Sequence, residues 1–169
     1  DFACDALIYP HFVDSSEEEG PFSRFLSRVK ESGEWKAEVG EVLVLHDPSV
    51  AKAQRLILLG LGRREELDPG LTRLSVMKAL RMLKGSQLKR LGILAAILPD
   101  EARFVQMAVE GVLMSSFEPA PYRTGSPATP QVDEIVFLLS ERADLRRFES
   151  CYPKARIIGE AVNLARALT

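Results

Sequence analysis

Two apolar periods alternate along this chain. Short runs rich in Val, Ile and Leu at residues 6–9, 42–46, 55–60, 91–97 and 135–139 read as strands; between them lie longer segments of helical period. The central runs lack polar alternation, as strands do when both faces are covered, so helices are expected on both sides of one sheet. Strands alternating with helices predict a layered α/β fold.

The helical segments carry their own boundary signals. Asp68 is placed to cap a helix over 69–84, with Pro69 at the first position, where a missing N–H costs nothing, and Gly85 at the end. Asp100 caps a second helix over 101–116, whose broad apolar face holds Phe104, Val105, Ala108, Val109, Val112 and Leu113 and should pack on the sheet. Between 118 and 132 the composition shifts to Pro, Ala, Thr, Gly and Ser, with Pro119, Pro121, Pro127 and Pro130, which predicts an exposed excursion. Residues 14–20, with Glu17, Glu18 and Glu19 in a row, read as a solvated loop or helix lead-in. The last segment, 159–169, is amphipathic: Ile158, Ala161, Val162, Ala165 and Leu168 recur at helical spacing. No Gly, Asn or Pro follows to stop this helix and the chain opens on Asp1, so a domain cut from a larger protein is expected.

Composition narrows the class. A chain of 169 residues fits one domain and can bury roughly 70% of its unfolded surface without staples. It is 46% apolar and 27% charged with a net charge of -2, which is globular and selects no type of partner. The apolar runs are far shorter than the roughly 20 residues of a membrane span, so no membrane partner is expected. Cys4 and Cys151 form no C-x-x-C pair and are expected as two buried free thiols in a reducing, cytoplasmic compartment.

Candidate chemistry is sparse. Leu59-Gly60-Leu61-Gly62 follows a strand and could open a phosphate-binding turn, but no third Gly follows and Arg63-Arg64-Glu65-Glu66 replaces the helix start, so a tight strand-end turn is the better reading. His11 and His46 are the only imidazoles and have no ligand spacing, so no metal site is expected in the chain. Ser115-Ser116 lies at a helix end with no base nearby, and Glu65-Glu66 reads as solvated surface. Arg73, Lys78, Arg81, Lys84, Lys89 and Arg90 fall in a stretch without an acidic residue and could contact an anion or nucleic acid. Basic residues near a helix C-terminus also complement its dipole, and no aromatic residue interleaves these for base stacking, so that contact is the weaker reading.

Three segments carry a resemblance. Residues 3–10 are similar to an "A-D-A-L-hydrophobic-Pro" strand, residues 55–62 to an "R-hydrophobic-G-L-G" strand and turn, and Glu160-Ala161-Val162-Asn163-Leu164-Ala165-Arg166 to an interdomain helix. Together they resemble the N-terminal domain of the leucyl aminopeptidase (cytosol aminopeptidase) family. Ala108, Gly111 to Leu113 and Tyr122-Arg123-Thr124 are similar to that family's following helix and segment, with a departure at 116–123. The resemblance implies a macro-domain-like three-layer sandwich with a mixed, mostly parallel sheet over 1–153, and an interdomain helix starting at 154. It further implies a cytoplasmic parent enzyme that removes N-terminal residues, often Leu, from peptides, with two divalent ions, Zn or Mn, in a C-terminal catalytic domain. A hexamer is implied, with the N-terminal domain contributing subunit contacts and shaping access to the active site. The family's "N-T-D-A-E-G-R" motif and its metal-binding Lys and Asp do not occur in this chain, so no catalytic, cofactor-binding or metal residue is assigned. The alternative is a macro-like module that binds a small ligand such as ADP-ribose, or nucleic acid.

Overall fold

The computed structural model describes residues 3–15, 22–48, 51–83, 87–117 and 131–168. Five strands and four α-helices follow in the order β1 (Cys4–His11), α1 (Ser23–Glu31), β2 (Val42–His46), β3 (Ala53–Gly60), α2 (Pro69–Arg81), β4 (Gln87–Leu94), α3 (Glu101–Ser115), β5 (Gln131–Leu138) and α4 (Leu145–Ala167), with a short 3₁₀ turn, Arg64–Glu66, before α2. The sheet order is β2-β3-β1-β4-β5. β1 is parallel to β3 and β4, and β4 to β5, while β2 runs antiparallel on the edge. This is the mixed, mostly parallel sheet of an α/β fold.

Period-two alternation divides the core, because successive strand side chains point to opposite faces. Ala6, Ile8, Ile57, Leu59, Leu91 and Ile93 share one face with Val76, Ala79 and Leu80 of α2 and Phe104, Val105, Ala108, Val109 and Val112 of α3. Leu7, Tyr9, Leu56 and Leu58 share the other with Leu26 of α1 and with Trp35. Helices therefore cover both faces, giving three layers. α2 and α3 approach so closely that a Cβ on Gly111 would lie 2.6 Å from the Arg73 carbonyl oxygen, a gap only glycine fits. Beside that crossing the buried Glu110 carboxylate accepts from Arg73 Nη1 at 3.0 Å and from Gln106 at 3.0 Å, so the two helices are joined by charge as well as packing.

Both predicted N-caps form: Asp68 accepts from the Leu71 N–H at 2.8 Å, and Asp100 from the Arg103 N–H at 3.2 Å. The structure departs from the sequence reading at several places, β5 among them, which starts at Gln131 instead of 135. Helix α1 was given no range beyond a possible lead-in at 14–20, although Phe22, Phe25, Leu26 and Val29 line its packed side; it has no side-chain cap to announce it. β4 starts earlier than expected and ends at Leu94, because Ala95 and Ala96 both donate to the Leu138 carbonyl and turn the chain off the sheet. α4 starts at Leu145, ahead of the 154 that the resemblance implied, and continues through Pro153. Cys4 and Cys151 are free but partly exposed, not buried. Gly85, Glu17 to Glu19 and the Pro-rich stretch up to residue 130 lie outside the described residues.

Candidate interdomain helix and strand-end cleft

Helix α4 packs one side on the domain and turns a second, partly apolar side outward. Its inner side lies along α3. Ala155 and Gly159 are buried there, and a Cβ on Gly159 would stand 2.8 Å from both Cβ and Cδ1 of Leu113, so the missing side chain sets the distance between the helices. Asn163 Nδ2 donates to the Leu113 carbonyl at 2.7 Å, and Arg166 Nη1 to that of Met114 at 3.4 Å. These carbonyls belong to the last turn of α3, where a helix lacks internal donors and its dipole favours a cation. Asn163 and Arg166 thus fasten α4 to the C-terminus of α3, while Glu160 pairs with Arg156 on α4 itself.

The outer side carries a different stripe. Ile157, Leu164 and Leu168 are 67%, 63% and 79% exposed, and Ala161 between them is also exposed. Their spacing of four, three and four residues puts them on one face. The sequence reading gathered Ile158, Ala161, Val162, Ala165 and Leu168 into a single stripe, but the structure divides them: Ile158 and Val162 are half-buried, while Ala161, Ala165 and Leu168 face out. Ile157 and Leu164 were missed, although their seven-residue separation was a legible signal.

At the C-terminal ends of β3 and β4, a cleft of about 210 Å³ is lined by Leu67, Pro69, Thr72, Pro99, Phe104 and Met107, among others. It is smaller than the roughly 300–1,000 Å³ usual for a small-molecule site. The N-termini of α2 and α3 open beside it, and each is already occupied by its own Asp carboxylate, which repels a phosphate from the position where helix dipoles would bind one. The glycine pair is likewise filled by the chain itself. A Cβ at Gly60 would lie 2.1 Å from the Glu38 carbonyl oxygen, and Gly62, at φ +72°, would strike Val39. The strand-end turn is tight because the segment around Ala37 to Val39 packs into it.

Three of the basic residues have partners of their own. Arg73 turns to Glu110 on α3, Lys78 donates to the Gly40 carbonyl at 2.7 Å, and Arg90 pairs with Glu134 across the β4–β5 ladder. Arg81 is exposed at the end of α2, Lys89 stands beside Arg90 at the start of β4, and Lys84 lies outside the described residues. The imidazoles are separated. His11 is buried against Trp35 at the end of β1, and His46 is exposed at the end of β2, which pairs with the opposite end of β3. Among the described residues no group of three or more His, Cys, Asp or Glu side chains could hold a metal ion. The same residues include no helix long and apolar enough to cross a membrane. Burial raises the Cys4 thiol pKa and nearby Asp5 adds to it, against a smaller lowering by the Gly92 backbone and Arg90.

The fold and these features define an α/β sandwich domain whose last helix turns a partly apolar side outward. Comparison with known proteins gives the family. A profile for the N-terminal domain of the cytosol aminopeptidase family matches residues 17–126, more than half of the chain. A probable cytosol aminopeptidase of Solibacter usitatus is 32% identical over 166 residues, covering 97% of this chain and 32% of the relative. One from Geotalea uraniireducens is 28% identical over 145 residues, covering 85% and 29%. The bottromycin maturation enzyme BotP has the same fold at a TM-score of 0.64 and 20% identity, covering 98% of this chain and 32% of that one. A mutant of tomato leucine aminopeptidase superposes at 0.66 with 18% identity, covering 92% and 34%. The chain belongs to the cytosol aminopeptidase family and represents its N-terminal domain. It spans about a third of the length of the relatives it matches.

Proposed function

We propose that this chain is the non-catalytic N-terminal domain of a cytoplasmic di-metal aminopeptidase that removes N-terminal residues, often Leu, from peptides. The observation that carries this reading is the family match over residues 17–126, from a chain that spans only a third of relatives named as aminopeptidases. The described residues do not fit a pair of divalent ions, since no three potential ligands converge. On this reading the metals, Zn or Mn, belong to the catalytic domain; one of the neighbours, BotP, is known in complex with Mn. The domain's role is to support subunit assembly, as a hexamer, and to shape access to the active site. The chain divides functionally near residue 153, with α4 leading to the catalytic part. Hydrolysis of Leu-p-nitroanilide with Mn²⁺ or Zn²⁺ tests this, comparing the 169-residue chain with the polypeptide extended past Thr169 through its reading frame. Activity in the extended protein alone is expected, and activity in neither overturns the reading.

A further inference from the structure

We infer that the free edge of β2 pairs with the same edge of a second copy of this chain, joining two sheets across a two-fold axis at Val44. The inference deepens the assembly role proposed above and rests on it for its setting; the contact itself rests on geometry. β2 lies on the outside of the sheet and pairs with β3 alone. The Gly60 N–H donates to the Glu41 carbonyl and the Asp47 N–H to that of Gln54, so the odd-numbered residues of this ladder turn their backbone groups inward to β3. Alternation then directs the N–H and C=O groups of Val42, Val44 and His46 away from the sheet, and within the described residues no hydrogen bond reaches them. Sheet edges are commonly blunted by charge, proline or a bulge. The opposite edge follows this rule, since β5 exposes Asp133 and Glu134, whereas Val42-Leu43-Val44-Leu45 carries neither charge nor proline.

Symmetry selects the occupant. The outward groups fall on alternate residues centred on Val44, so antiparallel pairing about a two-fold axis there leaves none of them unmatched: Val44 exchanges bonds with its own copy, and Val42 with the second copy's His46 at both ends. The side chains agree with this register. Leu43 stands opposite the second copy's Leu45, an aliphatic cross-strand pair of the kind that stabilises a sheet. Glu41 comes opposite Asp47, but its carboxylate is turned back to accept from the N–H groups of Lys36 at 2.8 Å and Glu38 at 3.1 Å, so like charges do not meet. Beside the strand, Lys78 of α2 is tied to the Gly40 carbonyl, and Leu74 and Met82, one turn before and after it on the same side of the helix, are 43% and 53% exposed. Apolar surface therefore continues from the edge onto α2. A strand from an unrelated protein must bring a matching free edge, whereas every copy of this chain carries one. The five-residue edge is only about 17 Å long and covers less than the roughly 800 Å² per partner of a standard interface, so the contact is weak and reversible in the 169-residue chain.

The test is a dilution series of the 169-residue chain, followed by sedimentation equilibrium for mass and by ¹H–¹⁵N NMR for location. Between about 20 µM and about 1 mM the mass should rise from monomer toward dimer. The amide shifts of Val42, Val44 and His46 should move with concentration more than those of Leu43 and Leu45, which already face β3. Val44→Pro removes an outward N–H without touching the β3 ladder, a place where an edge strand tolerates proline. It should weaken association at least about tenfold, while Val44→Thr, equally β-branched, associates as the wild type does. Where Val44→Pro does not fold, the wild-type shifts decide alone. A chain that stays monomeric at about 1 mM, association that leaves these three amides unmoved, or association that survives in folded Val44→Pro overturns the inference. Protection of these amides from hydrogen exchange that is the same at both ends of the series assigns the edge to a segment of the same chain and also overturns it. Leu-p-nitroanilide hydrolysis by the polypeptide extended through its reading frame is scored separately. An active extended protein without pairing at β2 removes only this inference, and pairing at β2 with an inactive extended protein removes only the aminopeptidase reading.

Discussion

Gly159→Ala tests whether α4 is seated on α3 at the distance described. An Ala in a helix interior gains about 0.8–1 kcal/mol over Gly from propensity alone. Against this, the added Cβ would meet Leu113 Cβ and Cδ1, each at 2.8 Å, and Cγ at 3.4 Å. The Cδ1 contact can be relieved by rotating Leu113, but its Cβ is fixed to the α3 backbone, so the helices must separate. Separation also lengthens the 2.7 Å bond from Asn163 to the Leu113 carbonyl. Overpacking of this kind costs about 1–3 kcal/mol, and losing a hydrogen bond adds about 1 kcal/mol. The net expectation is a loss of about 1–3 kcal/mol, or a Tm lower by roughly 2–10 °C for a domain of this size. Thermal and urea unfolding of the 169-residue chain measure it, with Ala165→Leu, on the exposed side, as a control that should move little. Leu113→Ala in the same background removes the Cγ and Cδ1 contacts, so the two changes should be less than additive. An unchanged or higher Tm for Gly159→Ala, or strict additivity with Leu113→Ala, would refute the close seating of α4.

Other outcomes follow from the same contacts. Arg73→Met should destabilise by about 3 kcal/mol in urea titration, because it leaves the Glu110 carboxylate buried without its cation; Arg73→Met with Glu110→Gln should recover much of that loss. Val162→Asp puts a charge on the half-buried inner side of α4 and should lower Tm, whereas Leu164→Asp on the exposed outer side should leave Tm of the 169-residue chain nearly unchanged. Asp68→Ala should cost about 1 kcal/mol through loss of the α2 cap, and Asp68→Asn should restore it. Cys4 should alkylate more slowly at pH 8 than a small free thiol. Because burial raises its folded pKa above that of an ordinary thiol, the unfolded chain loses that proton first, so stability should fall as pH rises through the ordinary thiol range, and this pH dependence should be absent in Cys4→Ser.

How much of this was legible depends on where the determining contact lies. Asp68 and Asp100 act within one turn of their own helices, so the caps could be read directly. The apolar runs at β1 and β3 fixed two-sided burial, since no polar alternation offered either face to water. Helix α1 was harder because it lacks a capping side chain, and only its apolar spacing of Phe22, Phe25, Leu26 and Val29 marked it. Pro153 lies inside α4, where a proline removes one hydrogen bond and usually ends a helix, at about 3 kcal/mol. Here the packing of Phe148, Ala155 and Gly159 on the domain spans both sides of the proline and carries the helix through.

The candidate site divides in the same way. The Glu160 to Arg166 segment could be recognised as a family signature from residue identity alone, and the absence of the catalytic motif could be read from the same string. What each residue does was decided in three dimensions. Asn163 and Arg166 fasten the end of α3, Gly159 sets the interhelix distance, and Ile157 and Leu164 are left facing out. Of the six basic residues grouped by charge pattern along the sequence, Arg73, Lys78 and Arg90 are turned by the fold to Glu110, Gly40 and Glu134. Local signals depend on neighbours in the chain, and so sequence determined the strands, the caps and the family. Partners brought together from distant segments decide which face of a helix is covered and which cation is spent, and only the tertiary structure supplies those.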